Sequence, residues 1–296
     1  MEWSQIIGFY HTAKLGSFTR AAEATFKTQS ALTHQIKSLE TELNCLLFER
    51  IGKRKIRLTP AGERFFEFAG ALIEKYNFLI EDLNELKGLK KGQLKIAAPF
   101  TTLYHLLPTT IQIYVKLYPW VELTILDRSQ QNVIHLVKEG DVDFGLVLES
   151  LVPKDLVSVR WKKAEIVLMV SKNHPLTKEK QVKLEQVAQY PLILPPKSLL
   201  FHGRKRLEEL FTELDIEYRV VMESSNVELS SIYSEMGLGI SFATVVKGLP
   251  NIQKRNLSFI SLKHYFEPEH IALVMRKDKV LPSFKTDFIN VLFERH

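Results

Sequence analysis

Two short helical patterns lie close together near the N-terminus and constrain the fold more than any other feature of the chain. In the first, Phe18, Ala21 and Ala22 share one face, and small residues on that face allow another helix to approach closely. Lys27 and Thr28 interrupt the periodicity, and Thr28 is a typical N-cap for the helix that follows. The sequence therefore predicts two helices joined by a tight turn and packed on an earlier helix.

The second of these helices has an apolar side and a polar side. The apolar stripe is expected to face the other helices and contains Ala31, Leu32, Ile36, Leu39 and Leu43. The polar side then faces outward near the helix N-terminus, the part of a recognition helix that usually contacts base edges in the DNA major groove. A simply solvated surface is the alternative. The candidate DNA-contacting residues are Thr28, Gln29, Ser30, Thr33, His34 and Lys37.

A basic segment follows this helix. Residues 47–50 and 56–59 are predicted to form two short strands on either side of a turn. Residues 1–58 carry nine Lys and Arg against five acidic residues, so this fifth of the chain holds four of the six net positive charges. Clustered positive charge favours a polyanion, because each neutralised phosphate releases counterions, although a solvated basic face would have the same charge. The pattern predicts a winged helix-turn-helix whose hairpin grips DNA through Arg50, Lys53, Arg54 and Lys55.

The next segment carries an unbroken heptad pattern. Apolar residues recur over 65–86 at alternating spacings of four and three. Pro60 is favourable in a first helical turn, and a helix over about 61–87 would be about 40 Å long at about 1.5 Å per residue. Such a one-sided helix is unstable alone, so we expect it to pair with a second copy; a buried helix in one large domain is the alternative. The predicted seam contains Phe65, Leu72, Tyr76, Leu79 and Leu83.

The composition is that of a globular protein, since 45% of the 296 residues are hydrophobic and 25% are charged. No apolar run is long enough to cross a membrane and the N-terminus lacks a secretion-signal pattern, so we expect a cytoplasmic protein.

The only cysteine, Cys45, is expected to be buried. The nine His lack metal-ligand spacing, so no metal or cofactor is predicted. Without a nucleophile elbow, a zinc-protease motif or a Walker loop, the chain is not expected to be an enzyme.

Beyond residue 91 the pattern changes to strands that alternate with helices. Helices are predicted at 130–139, 204–214 and 226–236, and a last helix runs through Phe293. Alternation of this kind indicates parallel sheets with helices on both faces. The predicted strands are 94–98, 121–126, 143–148, 165–170, 191–194, 218–222, 239–244 and 271–276.

Over residues 18–62 the chain resembles LysR-type transcriptional regulators. The matching residues are the pair Ala21 and Ala22, Gln29, Ser30-Ala31-Leu32, Gln35-Ile36, Leu39-Glu40, Leu43, Leu47-Phe48-Glu49-Arg50 and Leu58-Thr59-Pro60-Ala61-Gly62. The sequence departs from the family pattern at His34, where Arg is usual, and at Ser30, where Pro is frequent. His34 weakens one expected phosphate or base contact at neutral pH, so the operator half-site is expected to differ from the common family type.

The resemblance extends over the rest of the chain through weaker markers. These are Leu106-Leu107-Pro108, Tyr118-Pro119, Gly140-Asp141-Val142-Asp143, His174-Pro175-Leu176 and Gly237-Leu238-Gly239. The resemblance implies a DNA-binding domain over 1–58, a dimerisation helix and hinge over 59–90, and an α/β effector domain over 91–296 similar to periplasmic binding proteins. Its lobe I would hold 91–163 and 267–296, and its lobe II 164–266.

In such two-lobed folds ligands bind beyond the carboxyl ends of strands and near helix N-termini. Thr101 and Thr102 follow the first strand, and their hydroxyls and nearby backbone N–H groups suit a carboxylate. Glu149 would add a negative charge, so it suits a cationic group or faces away from the cleft. For residues outside the threonine pair, an ordinary cap or loop role is the alternative. The predicted ligand contacts are Thr101, Thr102, Gln130, Glu149, His202, Asn226 and Thr244.

The resemblance implies a sequence-specific transcriptional regulator that binds an inverted-repeat operator on double-stranded DNA as a homodimer or homotetramer. A small-molecule co-inducer, expected to bear a carboxylate, modulates its activity, and RNA polymerase is a further expected partner. The alternative is a DNA-binding regulator without a small-molecule ligand, which responds through assembly or a protein partner and has a collapsed or apolar-filled cleft. A transport binding protein would share the C-terminal fold but would lack the winged helix-turn-helix.

Overall fold

A computed structural model describes residues 1–51, 55–197, 202–246 and 255–294, and it describes only the backbone of Arg50, Ile51, Lys55 and His202. The chain divides into two units, Met1–Leu89 and Lys90–His296. Each unit has its own apolar core. None of the described helices is long and apolar enough to cross a membrane.

The first unit begins with the predicted helix-turn-helix. Helix α1 spans Trp3–Leu15, α2 spans Phe18–Ala24 and α3 spans Gln29–Leu43. The Thr28 hydroxyl oxygen accepts a hydrogen bond from the Ala31 backbone N–H at 3.2 Å, which satisfies an otherwise unpaired donor of the first turn of α3. The predicted N-cap is therefore confirmed.

The apolar stripe of α3 is narrower than predicted. Leu32, Ile36 and Leu39 are buried against α1 and α2, whereas Ala31 and Leu43 are exposed. The two outer residues lie in the first and last turns of α3, beyond the part that the other helices cover. Only the middle of the helix therefore contributes to the core.

Cys45 is exposed, so the expectation that it is buried is wrong. Asn44 ends α3 in the left-handed backbone region, with a φ of 52°. This conformation turns the chain away from the helix axis. Cys45 consequently lies on a turn outside the core.

A hairpin and a long helix complete the first unit. Strands β1, Phe48–Ile51, and β2, Lys55–Leu58, pair antiparallel as predicted. Helix α4 spans Pro60–Leu86, one residue earlier at each end than predicted. Gly62 allows α4 to lie against the start of the hairpin, because a Cβ there would meet the Leu47 carbonyl oxygen at 2.0 Å.

Two of the five predicted seam residues of α4 pack inside their own unit. Phe65 and Leu72 are partly buried against the core beneath α1, and their part in pairing stays a prediction. Tyr76, Leu79 and Leu83 are exposed. The heptad pattern did not distinguish the two halves, because a helix packed on its own domain and a helix packed on a partner use the same spacing.

The second unit begins with a parallel βα arrangement. Strand β3 pairs in parallel with both β4 and β5. Strand β5 is buried along its whole length, as expected for a sheet covered on both faces. The elements are β3 Gly92–Ala98, α5 Phe100–His105, α6 Pro108–Leu117, β4 Val121–Asp127, α7 Gln130–Lys138 and β5 Phe144–Leu148. We call this part the first lobe.

A second lobe repeats the arrangement around a separate core. Strand β7 pairs in parallel with β8 and β9. The elements are α8 Leu184–Ala188, β7 Leu192–Leu194, α9 His202–Glu213, β8 Val220–Glu223, α10 Val227–Glu235 and β9 Ile240–Val246. The exact boundaries of the two lobes stay a prediction.

One long strand joins the lobes. Strand β6, Leu156–Ser171, lies antiparallel to β11, Glu269–Arg276, in the first lobe and to β9 in the second. Strand β10, Leu257–Ser261, also pairs antiparallel with β6, and α11, Ser283–Phe293, packs on the first lobe. Among the described residues, nine strands thus form one mixed sheet, in which the predicted parallel pairs are joined by antiparallel pairs that involve β6 and β11. The predicted strand 165–170 is the second part of β6.

Candidate functional sites

The N-terminal half of α3 and its cap present a polar surface. Gln29, Ser30, His34 and Lys37 are exposed, as is the cap Thr28. Thr33 is half-buried, and its hydroxyl donates to the Gln29 carbonyl oxygen at 2.7 Å. We call these six residues the recognition face. The structure brings together all the DNA-contacting residues predicted on this helix.

Polar contacts fix the start of α3 against its neighbours. The Thr19 hydroxyl donates to Oε1 of Gln29 at 3.2 Å. Lys27 Nζ donates to Oε1 of Gln35 at 2.8 Å, and Nε2 of Gln35 donates to Oγ of Ser4 at 3.2 Å. Sequence reasoning did not find these contacts, because each joins residues on different elements and no periodicity links them.

The predicted wing residues are described only in part. Lys53 and Arg54 lie outside the described residues. Arg50 lies in β1 and Lys55 lies in β2. Arg57 in β2 forms an exposed ion pair, with its Nε 2.7 Å from Oε1 of Glu49 across the hairpin. A contact between Arg57 and a phosphate would therefore compete with this carboxylate.

A small recess lies between the two lobes. It brings together three predicted ligand residues, Thr101, Thr102 and Thr244, beside His105. Its cavity volume is about 20 Å³, which is room for about one water molecule. We call it the inter-lobe recess; its remaining lining residues are Leu106, Val227, Val245, Val246 and Ile271.

The other predicted ligand residues make contacts within the chain. Gln130 Oε1 accepts a backbone N–H at the end of β5 at 2.7 Å, and Asn226 Oδ1 caps α10. These are the cap and loop roles left open as the alternative. Glu149 forms an ion pair with Arg160, whose Nε lies 2.8 and 2.7 Å from the two carboxylate oxygens. His202 begins α9, and its side chain lies outside the description.

His105 is a candidate residue that sequence reasoning missed. Its side chain is 1% exposed, and its Nε2 lies 2.5 Å from Oε1 of Glu228, which belongs to α10 of the other lobe. This hydrogen bond joins α5 of the first lobe to α10 of the second. Nδ1 is buried without a hydrogen-bond partner among the described residues. Arg255 also contacts Glu228, at 3.3 Å, so this contact between the lobes is a cluster of charged and polar groups.

A second charged cluster lies in the second lobe near Thr244. Arg204 is almost fully buried, with Nε 2.9 Å from Glu208 and Nη1 2.6 Å from Glu223. Burial by itself would lower the pKa of Arg204, but the hydrogen bonds to both carboxylates raise it above its ordinary value. The guanidinium is therefore neutralised inside the protein.

No cluster of His, Cys, Asp and Glu suited to a metal ion occurs in the part of the chain that the structure describes.

Comparison with known families covers both units. Residues 3–63 match the family model for bacterial regulatory helix-turn-helix proteins of the lysR family, and residues 87–296 match the LysR substrate binding domain. The HTH-type transcriptional activator CmpR of Synechocystis sp. is 28% identical over 285 residues, which cover 96% of this chain and 92% of CmpR.

Solved structures share the fold over the full length. Full-length OxyR from Pseudomonas aeruginosa aligns with a TM-score of 0.68 and 22% identity over 99% of this chain and 97% of OxyR. Full-length CbnR, crystallised in complex with its target DNA, aligns with a TM-score of 0.60 and 20% identity over 99% of each chain. At these identities the likeness supports the fold alone.

A winged helix-turn-helix followed by a two-lobed effector domain defines a class of DNA-binding regulators that respond to small molecules. The chain belongs to the LysR family of bacterial regulatory helix-turn-helix proteins. It is thus a transcriptional regulator, and its curated relatives are regulators rather than enzymes.

Proposed function

We propose that the chain recognises an inverted-repeat operator on double-stranded DNA through the recognition face. The observation that carries this proposal is the set of exposed polar side chains at the N-terminal end of a capped helix. Gln29 pairs bidentately with adenine in the major groove, and Ser30 and Thr33 contact a base or a phosphate. His34 directly follows Thr33, and Lys37 lies about one helical turn beyond Thr33. Both contact the DNA backbone, and His34 makes a weaker contact than the Arg that is usual at this position.

The wing extends this footprint. Arg50, Lys53, Arg54 and Lys55 neutralise phosphates beside the major groove, and Arg54 enters the adjacent minor groove. Every neutralised phosphate releases counterions, so binding weakens as salt rises. The salt dependence of affinity thus measures how many of these residues contact DNA.

Pairing of two chains follows from the second half of α4. Tyr76, Leu79 and Leu83 form an exposed apolar strip, and full burial of one such side chain is worth about 1.5–3 kcal/mol. The same strip on a second copy covers it, which gives a homodimer and, through further contacts, a homotetramer. Two-fold symmetry then matches two recognition faces to the two halves of an inverted repeat.

A small carboxylate-bearing effector binds at the inter-lobe recess. The hydroxyls of Thr101, Thr102 and Thr244 supply hydrogen-bond donors for it. Since the recess has room for about one water, binding separates the lobes and changes the contact between His105 and Glu228. The effector then has different affinities for the closed and the opened arrangement, which is the condition for any switch.

A second candidate is a DNA-binding regulator without a small-molecule ligand, which responds through assembly or through a protein partner such as RNA polymerase. The small volume of the recess and its five apolar lining residues favour this candidate. In that case the recess is an ordinary interface between lobes, and its threonines are packing residues.

Two measurements on the full-length protein test these proposals. Selection of bound duplexes from a random library should enrich an inverted repeat, and a library that shows no enrichment would contradict the DNA-binding proposal. The selected duplex is then titrated with protein in the presence of acetate, succinate, benzoate and related small acids. A change in affinity or in DNA bend supports the effector, and no change across a broad panel supports the second candidate.

A further inference from the structure

We infer that Thr19 is a positioning residue that sharpens the base preference of Gln29. The inference rests on the proposed contact between Gln29 and a base. Thr19 lies in the first turn of α2, and Gln29 is the first residue of α3. The Thr19 hydroxyl donates to Oε1 of Gln29 at 3.2 Å, and both side chains are exposed. Packing therefore does not hold the amide, and this hydrogen bond restrains it.

Both ends of the hydrogen bond are attached to fixed backbone. Ser17 caps α2 by accepting the Arg20 backbone N–H at 3.4 Å, and Thr28 caps α3. Thr19 is β-branched, so its χ1 angle has few alternatives in a helix. The hydroxyl therefore occupies a defined position relative to Gln29, set by how α2 and α3 cross.

The bonded amide keeps the groups that a base needs. Oε1 has two lone pairs, so it accepts from Thr19 and still accepts from the N6 amino group of adenine. Nε2 of Gln29 keeps its two donors, one of which suits adenine N7. The contact with Thr19 therefore restrains the amide in a state that remains able to form the bidentate pair.

This restraint acts on specificity more than on overall affinity. A free glutamine loses rotamer freedom when a base orders it, and it can adapt to a different base by rotating its amide. The hydrogen bond to Thr19 reduces the rotamer freedom that Gln29 loses on binding a base. It also reduces the range of orientations that the Gln29 amide can adopt. A hydroxyl that contacted a phosphate instead would strengthen binding to every sequence alike.

The test compares full-length wild type, Thr19→Val, Thr19→Ser and Gln29→Ala. Each protein selects duplexes from the same random library, and the base pair at which Gln29→Ala loses its preference identifies the contact of Gln29. Fluorescence anisotropy then measures the ratio of affinities for the selected duplex and for a duplex altered at that base pair. Thr19→Val should lower this ratio about threefold to tenfold, the range expected for one neutral hydrogen bond. Thr19→Ser, which keeps the hydroxyl but not the β-branch, should have a ratio closer to that of wild type than Thr19→Val has.

Two further results are required. Thr19→Val should have no additional effect on the ratio when Gln29 is already alanine, because the positioned group is then missing. Thr19→Ala should reproduce the effect of Thr19→Val, which guards against a folding defect caused by valine, and thermal melts check that every variant is folded.

An unchanged ratio in Thr19→Val overturns the inference. So does an equal loss of affinity on both duplexes, which would make Thr19 a phosphate contact, and so does a ratio in Thr19→Ser that is as low as in Thr19→Val. If wild-type protein enriches no sequence at all, the proposed DNA-binding function itself fails. The two failures are thus distinguishable.

Discussion

The polar groups of the recognition face are exposed to solvent, whereas those at the inter-lobe recess are bound to other protein groups. On the recognition face, Gln29, Ser30 and Lys37 are exposed to solvent. At the recess, His105 and Glu228 are bound to each other, with His105 fully buried. An exposed group gives up only water when DNA binds, whereas a buried pair must give up a protein contact before it can accept a new one. We therefore expect the recognition face to be ready for DNA and the recess to be the part that changes.

The largest effect should come from dissociating the proposed dimer, so that its two recognition faces are no longer held together. Leu79→Lys adds a charge to the exposed strip of α4, and we expect sedimentation to show a dissociated dimer. Operator affinity should fall about 10²–10⁴-fold, because two half-sites would then be bound independently. The melting transition of the second unit should not change. An intact dimer would contradict the role given to α4, and a shifted transition would contradict the separation of the two regions.

Removing the carboxylate of Glu228 should cost the next largest amount. Glu228→Leu removes the carboxylate that His105 and Arg255 contact, and a buried polar group left without its hydrogen-bond partner typically costs about 1–3 kcal/mol. Urea unfolding measures the free energy of unfolding. Glu228→Gln, which keeps an acceptor oxygen, should lose much less, and Glu149→Gln in the more exposed pair with Arg160 serves as the matched control. Equal losses in all three variants would contradict a special contact at the recess.

Gln29→Ala tests the recognition face with a smaller expected effect. A bidentate base contact is worth about 1–3 kcal/mol of discrimination, so the preference at one base pair should fall about tenfold. Stability should not change, because the side chain is exposed. The measurement is anisotropy on the selected duplex and on duplexes altered one base pair at a time. A uniform loss across all duplexes would instead indicate a contact with phosphate.

The smallest effect concerns the turn before α3. Phe26 is 98% exposed and has a φ of 54°, a conformation that is costly for a residue with a side chain. Phe26→Gly should raise the free energy of unfolding of the first unit by about 1 kcal/mol and leave base preference unchanged. Thermal melts and the anisotropy ratio check the two parts. A loss of base preference would mean that the strained aromatic ring contacts DNA, so the recognition face would extend beyond α3.

Local patterns explain why the first unit was largely predictable. The interruption at Lys27, the cap Thr28 and the periodicity of α3 all lie within residues 27–43, so a short stretch of sequence carries the signal directly. The hairpin and α4 were predictable from local sequence in the same way. Which seam residues of α4 pack inside the unit was not predictable, because the burial of Phe65 and Leu72 depends on helix α1, which is distant in sequence.

The second unit was less predictable because its decisive contacts are distant in sequence. His105 and Glu228 are 123 residues apart, and neither lies in a motif. The first part of β6 was missed because Arg160, Lys162 and Lys163 interrupt the apolar pattern where this strand passes between the lobes. Thr101, Thr102 and Thr244 were predicted at strand ends and do lie together at the recess, while their contact with a ligand stays a prediction. The small volume of the recess depends on side-chain packing, which strand and helix patterns do not determine.

The central claim is that one region reads DNA and the other controls that reading. The most direct test is the affinity of the full-length protein for its selected duplex, measured by anisotropy with and without each member of the small-acid panel. We predict that at least one acid changes the affinity about 5–150-fold, the usual range of allosteric coupling, and that Glu228→Gln alters this factor. If no acid in a broad panel changes affinity or DNA bend, the recess is not an effector switch and the claim is contradicted.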